Sequence, residues 1–211
     1  MEILTYKQRQ KPDETDDTEF YSTPKFVYHL DSNFRKNLSA LYKKEIKNNS
    51  SILDLMSSWD SYLPKNIKYK KVIGHGLNKE ELDKNKALNN YWIQNFNTDQ
   101  KIPLENETID YCLMVAAWQY LQFPEKIAEE IARILNKKGK FIISFSNRAF
   151  WHKAPNIWTY SSENERIIYV RNILVANGFS EPNVIKKFTQ EKSLLPFLNN
   201  DPFYCLISEK K

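Results

Sequence analysis

The sequence predicts an α/β domain built on a mostly parallel sheet, and three observations carry that reading. Short apolar strands alternate with helix-patterned segments through most of the chain, an order that places helices on both faces of a parallel sheet. Residues 113–117 form an unbroken apolar run, as a strand covered on both faces requires. The last two strand-like stretches, 184–188 and 203–208, are joined by an irregular segment without a helix, so they pair antiparallel at one edge.

The elements follow in order. Residues 1–19 are polar and end in the acidic cluster Asp13, Glu14, Asp16, Asp17 and Glu19, which reads as a solvated or partly mobile arm. Residues 20–30 bring Phe20, Tyr21, Phe26, Val27 and Tyr28, broken by Pro24, and are expected to pack on the domain or cover a site. Residues 1–30 are therefore assigned to an arm or lid, and 31–211 to the core of one domain. Asp31 or Ser32 caps a helix that carries Phe34, Leu38, Leu41, Tyr42 and Ile46 at a spacing near 3.6. A strand at 51–55 runs into the turn Ser57-Ser58-Trp59-Asp60, and the helix expected next is short because Pro64 follows.

A second strand is expected at 70–75, and Asn78 caps a helix carrying Glu81, Leu82 and Leu88. Third and fourth strands fall at 91–96 and 109–115. Pro124 opens a helix with Ile127, Ala128, Ile131, Ile134 and Leu135, which Lys137-Lys138-Gly139 is expected to close. A fifth strand lies at 140–145, and a last helix at 162–176 stops at Asn177-Gly178. No internal repeat is visible.

Composition sets bounds on function. At 211 residues with 41% hydrophobic and 14% aromatic content, the chain can bury one substantial core. No apolar run approaches the roughly 20 residues of a membrane span, and no secretory leader is evident. Cys112 and Cys205 lie in apolar, strand-like runs and read as reduced core residues, which points to a cytoplasmic protein. The net charge of +5 comes from lysines scattered among acids, without the aromatic-interleaved pattern of a nucleic-acid surface. No Cys/His metal spacing and no Ser/His/Asp order is present, and the oligomeric state is not readable.

In an open α/β sheet, ligands bind beyond the carboxyl ends of the strands. This selects Asp54 to Ser61, Gly74 to Asn78, Asn95 to Asn97, Ala116 to Tyr120 and residues 146–160. Several of these stretches carry motifs. Ile52-Leu53-Asp54-Leu55 stands before a tight turn, and Val72-Ile73-Gly74 is followed by Asn78. Ile102-Pro103-Leu104 precedes Thr108-Ile109-Asp110, Arg133-Ile134-Leu135 runs into Lys138-Gly139-Lys140, and Asn177-Gly178-Phe179 comes late. In this order and at these spacings, over about residues 50–210, the chain resembles the class I S-adenosylmethionine-dependent methyltransferases. It is most similar to a type 11-like subset in which a glycine-free L-D-x-x-S-S-W-x-S segment, here residues 53–61, replaces the glycine loop.

The resemblance implies a Rossmann-like, seven-stranded sheet of order 3-2-1-4-5-7-6 with only the last strand antiparallel. It also implies S-adenosyl-L-methionine as cofactor, with Asp54, Met56, Ser57, Ser58, Gly76, Asn78, Asn95 and Phe96 as the residues around it. Two departures stand out. Met56, Ser58 and Asp60 occupy the places of the three glycines that let the backbone approach the ligand, and Gly76 replaces the acid that holds the ribose hydroxyls. Asn78 or His75 would have to substitute for that acid. The serines serve either turn formation or carboxylate binding, Phe96 either the adenine face or the core, and Trp59 reads as a wall or core residue.

Residues 147–160 crowd together Asn147, Arg148, Phe150, Trp151, His152, Trp158 and Tyr160, so this loop either folds into the core or walls an acceptor pocket. Trp118, Arg148, Trp151, Trp158 and Tyr160 are the acceptor-side candidates. His152 and Tyr120 are the only catalytic candidates. Arg148 either pairs an acidic substrate or is solvated, and Asp110 reads as a strand start. Two functions fit: methyl transfer to a small, partly hydrophobic acceptor, or a non-catalytic binding module with a degenerate cofactor loop. Nucleic acid is not an expected partner.

Overall fold

The computed structural model describes residues 3–188 and 201–211. Strands β1 (Ser51–Leu55), β2 (Lys71–Gly76), β3 (Asn90–Ile93), β4 (Ile109–Val115), β5 (Leu135–Phe145), β6 (Asn183–Lys187) and β7 (Phe203–Glu209) form one sheet of order β3-β2-β1-β4-β5-β7-β6. The first five are mutually parallel, and β7 runs antiparallel to both of its neighbours. The expected order and edge pairing are both present. The link expected between the last two strands, residues 189–200, lies outside the described residues.

The helices are α1 (Tyr6–Arg9), α2 (Asp17–Phe20), α3 (Ser32–Glu45), α4 (Lys79–Lys84), α5 (Pro124–Ile134), α6 (Asn156–Thr159) and α7 (Glu163–Ala176). Side chains alternate across the sheet because the strand period is two. Ile52, Leu113, Ile142 and Cys205 therefore pack against Phe34, Leu38, Leu41 and Tyr42 of α3. Leu53, Cys112, Met114, Phe141 and Ile143 face Ile127, Ile131, Ile173 and Leu174 of α5 and α7. Both cysteines are free and buried, one in each layer.

Four expectations are corrected. No helix forms between β1 and β2. Met56 and Tyr62 have φ of 52° and 55°, and the Asp60 carboxylate accepts the Tyr62 N–H at 2.9 Å, a turn geometry that a helix cannot continue. Tyr62, Leu63 and Tyr69 of this segment cover the α3 side of the sheet instead. The helix that Asn78 caps stops at Lys84, before Leu88. Strand β3 ends at Ile93, leaving Asn95 and Phe96 beyond it. Helix α5 ends at Ile134 because Leu135 already pairs with Ile109; the chain turns at Lys138 (φ 62°), and Gly139 passes so close to Asn136 that an added Cβ would lie 2.8 Å from its carbonyl oxygen.

The N-terminal segment also differs from a solvated arm. Arg9 makes a two-pronged pair with Glu125 at 2.9 and 2.7 Å, and the same carboxylate accepts the N–H groups of Ile3 and Leu4. Lys11 pairs with Asp17 at 2.7 Å, both largely buried. Charges removed from water persist only when paired in this way. Residues 3–30 are thus strapped across the carboxyl ends of the strands, and α1 packs on α6.

Candidate functional site

A cavity of about 690 Å³ opens beyond the carboxyl ends of β1 to β5, under the strap. Its volume falls within the roughly 300–1,000 Å³ of small-molecule sites. The turn after β1 forms its floor. Met56 holds the left-handed backbone that the first motif glycine of the expected pattern would supply, at a strain of roughly 1–2 kcal/mol.

His75, wholly buried on β2, fixes that turn. The Met56 N–H donates to His75 Nδ1 at 3.1 Å, and the Ser57 N–H donates to the His75 carbonyl at 2.7 Å. An amide N–H can only donate, so Nδ1 is the acceptor and Nε2 carries the proton, which it gives to the Gln94 carbonyl at 2.9 Å. Burial pushes the imidazole down to about 4, so it is neutral near pH 7. Its ring stacks on Phe96 with centroids 3.8 Å apart. One histidine thereby ties together the ends of β1, β2 and β3.

Asp54 is 3% exposed and lines the cavity. Burial pushes its carboxyl up to about 6, although hydrogen bonds from Ser57 and Ser61 oppose the shift; the Ser57 bond to Oδ2 is 2.6 Å. The Ser58 hydroxyl donates to Glu81, which also accepts the Lys25 N–H at 2.7 Å. Both serine hydroxyls are therefore engaged with the protein's own carboxylates.

Every residue expected around the cofactor (Asp54, Met56, Ser57, Ser58, Gly76, Asn78, Asn95 and Phe96) lines this one cavity. Neither expected substitute for the ribose acid is free, however. Asn78 accepts the Glu81 N–H and donates to the carbonyls of Tyr21 and Ser22, while both ring nitrogens of His75 are engaged. Asn95 accepts the Asn97 N–H and donates to Asp16, which leaves its oxygen one further acceptor direction.

The acceptor-side candidates separate. Arg148 and Trp151 line the cavity, whereas Trp118 and Trp158, each 1% exposed, are core residues and Tyr160 points to solvent. Trp118 opens a tight turn, Trp118–Tyr120, that sends its ring into the core while Gln119 and Tyr120 face the cavity. Arg148 pairs with the protein's own Asp201. Tyr120 lines the cavity, and burial pushes its hydroxyl up to about 12. His152 is exposed and is not among the lining residues; its ring meets Phe20 instead. Sequence reasoning passed over His29 and Glu81; neither carries a motif, and only the fold turns them inward.

A family model described as a methyltransferase domain matches residues 59–143. The chain shares the fold of the class I S-adenosylmethionine-dependent methyltransferases. No curated protein matches it. Among solved structures, an S-adenosylmethionine-dependent methyltransferase of Thermotoga maritima, described as a possible histamine N-methyltransferase, is 18% identical over 85% of this chain and 90% of its own, with a TM-score of 0.59. The [4+2]-cyclase SpnF is 10% identical with a TM-score of 0.62, covering 82% of this chain and 80% of its own. Phosphoethanolamine N-methyltransferase 2 of Haemonchus contortus, in complex with S-adenosyl-L-methionine, is 14% identical with a TM-score of 0.58, covering 87% and 54%. At these identities the likeness shows that the methyltransferase fold is shared. Among the described residues, no helix is long and apolar enough to cross a membrane.

Proposed function

We propose that the chain binds S-adenosylmethionine in the 690 Å³ cavity and transfers its methyl group to a small, partly hydrophobic acceptor. The observation that supports this reading best is the convergence on one cavity of every residue assigned to the cofactor from sequence, with a buried carboxylate, Asp54, at its floor. Asp54, Asn95 and the backbone beside Gly76 would hold the cofactor. When bound, the cofactor supplies an electrophilic sulfonium methyl group that a nucleophile displaces in line.

The chain's own contribution is orientation and exclusion of water. The strap covers the cavity with Tyr21, Lys25 and Tyr28, and Tyr120, Phe150 and Trp151 form an aromatic wall on the side of β4 and β5. Tyr120 accepts the Phe150 N–H at 3.0 Å and keeps its own proton near neutral pH, so it can donate a hydrogen bond but not act as a base. His75 is neutral with both nitrogens engaged. An acceptor that arrives already nucleophilic, as a neutral amine, a stabilised carbanion or a carboxylate, needs neither of them. His29 of the strap also lines the cavity, where burial lowers its imidazole, and is the histidine placed to take a proton from an acceptor that carries one. A polynucleotide would need an open groove lined with free cations, and Arg148 at the cavity is already paired.

A second reading, a binding module without transfer activity, is favoured by the loop itself. Gly76 stands where the acid is expected, and an added Cβ there would lie 2.7 Å from the Ser57 carbonyl oxygen. The SpnF comparison adds that a protein named for another reaction has this fold. A thermal-shift titration separates the readings. S-adenosylhomocysteine at a hundredfold its Kd adds about 2.7 kcal/mol, a rise of roughly 5–10 °C for a chain of this size. A rise with this ligand, and none with adenosine at the same concentration, supports the cofactor site; no rise with either at millimolar ligand favours the module.

A further inference from the structure

We infer that Glu81, on the first turn of α4, holds the ribose hydroxyls of the nucleoside in place of the acid missing at position 76. The inference rests on the cofactor reading above and extends it to a residue outside the matching motifs. An acidic side chain cannot return to position 76 while the loop keeps its shape, because the Ser57 carbonyl fills the space that its Cβ would need. The displaced function must therefore come from a carboxylate that reaches the same spot from elsewhere.

The lining residues offer four carboxylates: Asp17, Asp54, Asp60 and Glu81. Asp17 is held by Lys11 and Asn97. Asp60 accepts the Tyr28 hydroxyl and the Tyr62 N–H, away from β2. Asp54 belongs to β1 and takes the Ser57 hydroxyl.

Glu81 is the one joined to the end of β2. Its Oε2 accepts the hydroxyl of Ser58, whose neighbour Ser57 is the residue packed over Gly76, and Leu82 beside it also contacts that position. Glu81 is 8% exposed, so its carboxylate is held in place and faces the cavity rather than bulk water. A carboxylate offers about four acceptor directions; Ser58 and the Lys25 N–H take one on each oxygen and leave one on each. That is the requirement for receiving two neighbouring hydroxyls. Because Lys25 belongs to the strap and Ser58 to the turn after β1, a nucleoside held here would also join the strap to the floor of the site.

The bland alternative is that Glu81 only braces the strap and the start of α4, and a selectivity measurement distinguishes the two. Calorimetric titrations with S-adenosylhomocysteine and its 2′-deoxy analogue are compared for the parent, Glu81→Gln and Ser58→Ala. The parent should prefer the ribose ligand about tenfold, the value of one hydrogen bond to a charged group. Glu81→Gln should weaken S-adenosylhomocysteine about tenfold or more and reduce the preference below about threefold, because its amide nitrogen no longer accepts. Ser58→Ala should keep the preference, since the carboxylate remains.

A Glu81→Gln protein that binds both ligands more weakly but with the parent's preference overturns the inference and leaves the cofactor reading standing. So does one that binds as the parent does. A parent that binds neither ligand at millimolar concentration overturns both.

Discussion

Lys153→Met should lower the unfolding midpoint by roughly 6–12 °C, corresponding to about 3 kcal/mol at the low end of the cost of breaking a buried ion pair. The Lys153 side chain is 1% exposed, and its ammonium group lies 2.8 Å from both the carbonyl and the hydroxyl of Thr15 and 3.1 Å from Asp13. It also lies 3.7 Å from Asp17 Oδ1. Removing it leaves the buried Asp17 with Lys11 as its remaining cation, while Asp13 and Thr15 are open to water, and for that reason the low end applies. Lys153 follows β5, whereas Thr15 and Asp13 belong to the strap, so the bonds lost are among those that tie the strap to the end of β5. Hydrogen exchange should therefore speed up first at residues 11–21, before the sheet. Calorimetry of the variant gives the midpoint; a change under about 1 °C with unaltered exchange in the strap would show that the segment is held by its other contacts alone.

Asp54→Asn should make the protein more stable at pH 7 and a poorer binder. Burial raises the Asp54 carboxyl from 3.8 to about 6, against the hydrogen bonds from Ser57 and Ser61. The folded state thus binds the Asp54 proton more tightly than the unfolded state does. Stability from this group is greatest below about 4 and is lost as pH rises through about 6, by on the order of 3 kcal/mol. Asparagine is neutral throughout and can still accept the Ser57 hydroxyl. Urea unfolding at pH 4.5, 6 and 7.5 should show parent and variant converging at the acid end, with the variant ahead by roughly 2–3 kcal/mol at the other. A ligand that donates to Asp54 would offset its burial in the parent only, so the variant should bind S-adenosylhomocysteine about tenfold or more weakly. A gap that does not change with pH, or unchanged affinity, would remove Asp54 from the site.

The sheet was legible because its signals are local. Apolar alternation, the caps at Asp31 and Asn78, and Pro124 at a helix start each act within a few residues. Errors arose where a distant partner decided. Leu135 leaves the helix pattern because Ile109 pairs with it, and the acidic N-terminal run reads as solvated until Lys153, Asn97 and Asn95 are placed against it. The cavity was legible as a set of strand ends, so the motif residues converge on it. Side-chain direction was not, which separates Trp118 in the core from Gln119 and Tyr120 at the cavity. Composition cannot reveal that His75 is a buried neutral strut or that Glu81 turns inward; both depend on contacts between segments.

Methyl transfer at this site requires that the glycine-free turn bind an S-adenosyl nucleoside. Calorimetric titration of the full chain with S-adenosylhomocysteine tests it most directly. One-to-one binding with a Kd below 1 mM, in the range about −4 kcal/mol or stronger, is the predicted result. No heat of binding at millimolar ligand, from protein that unfolds cooperatively in the same buffer, would contradict it.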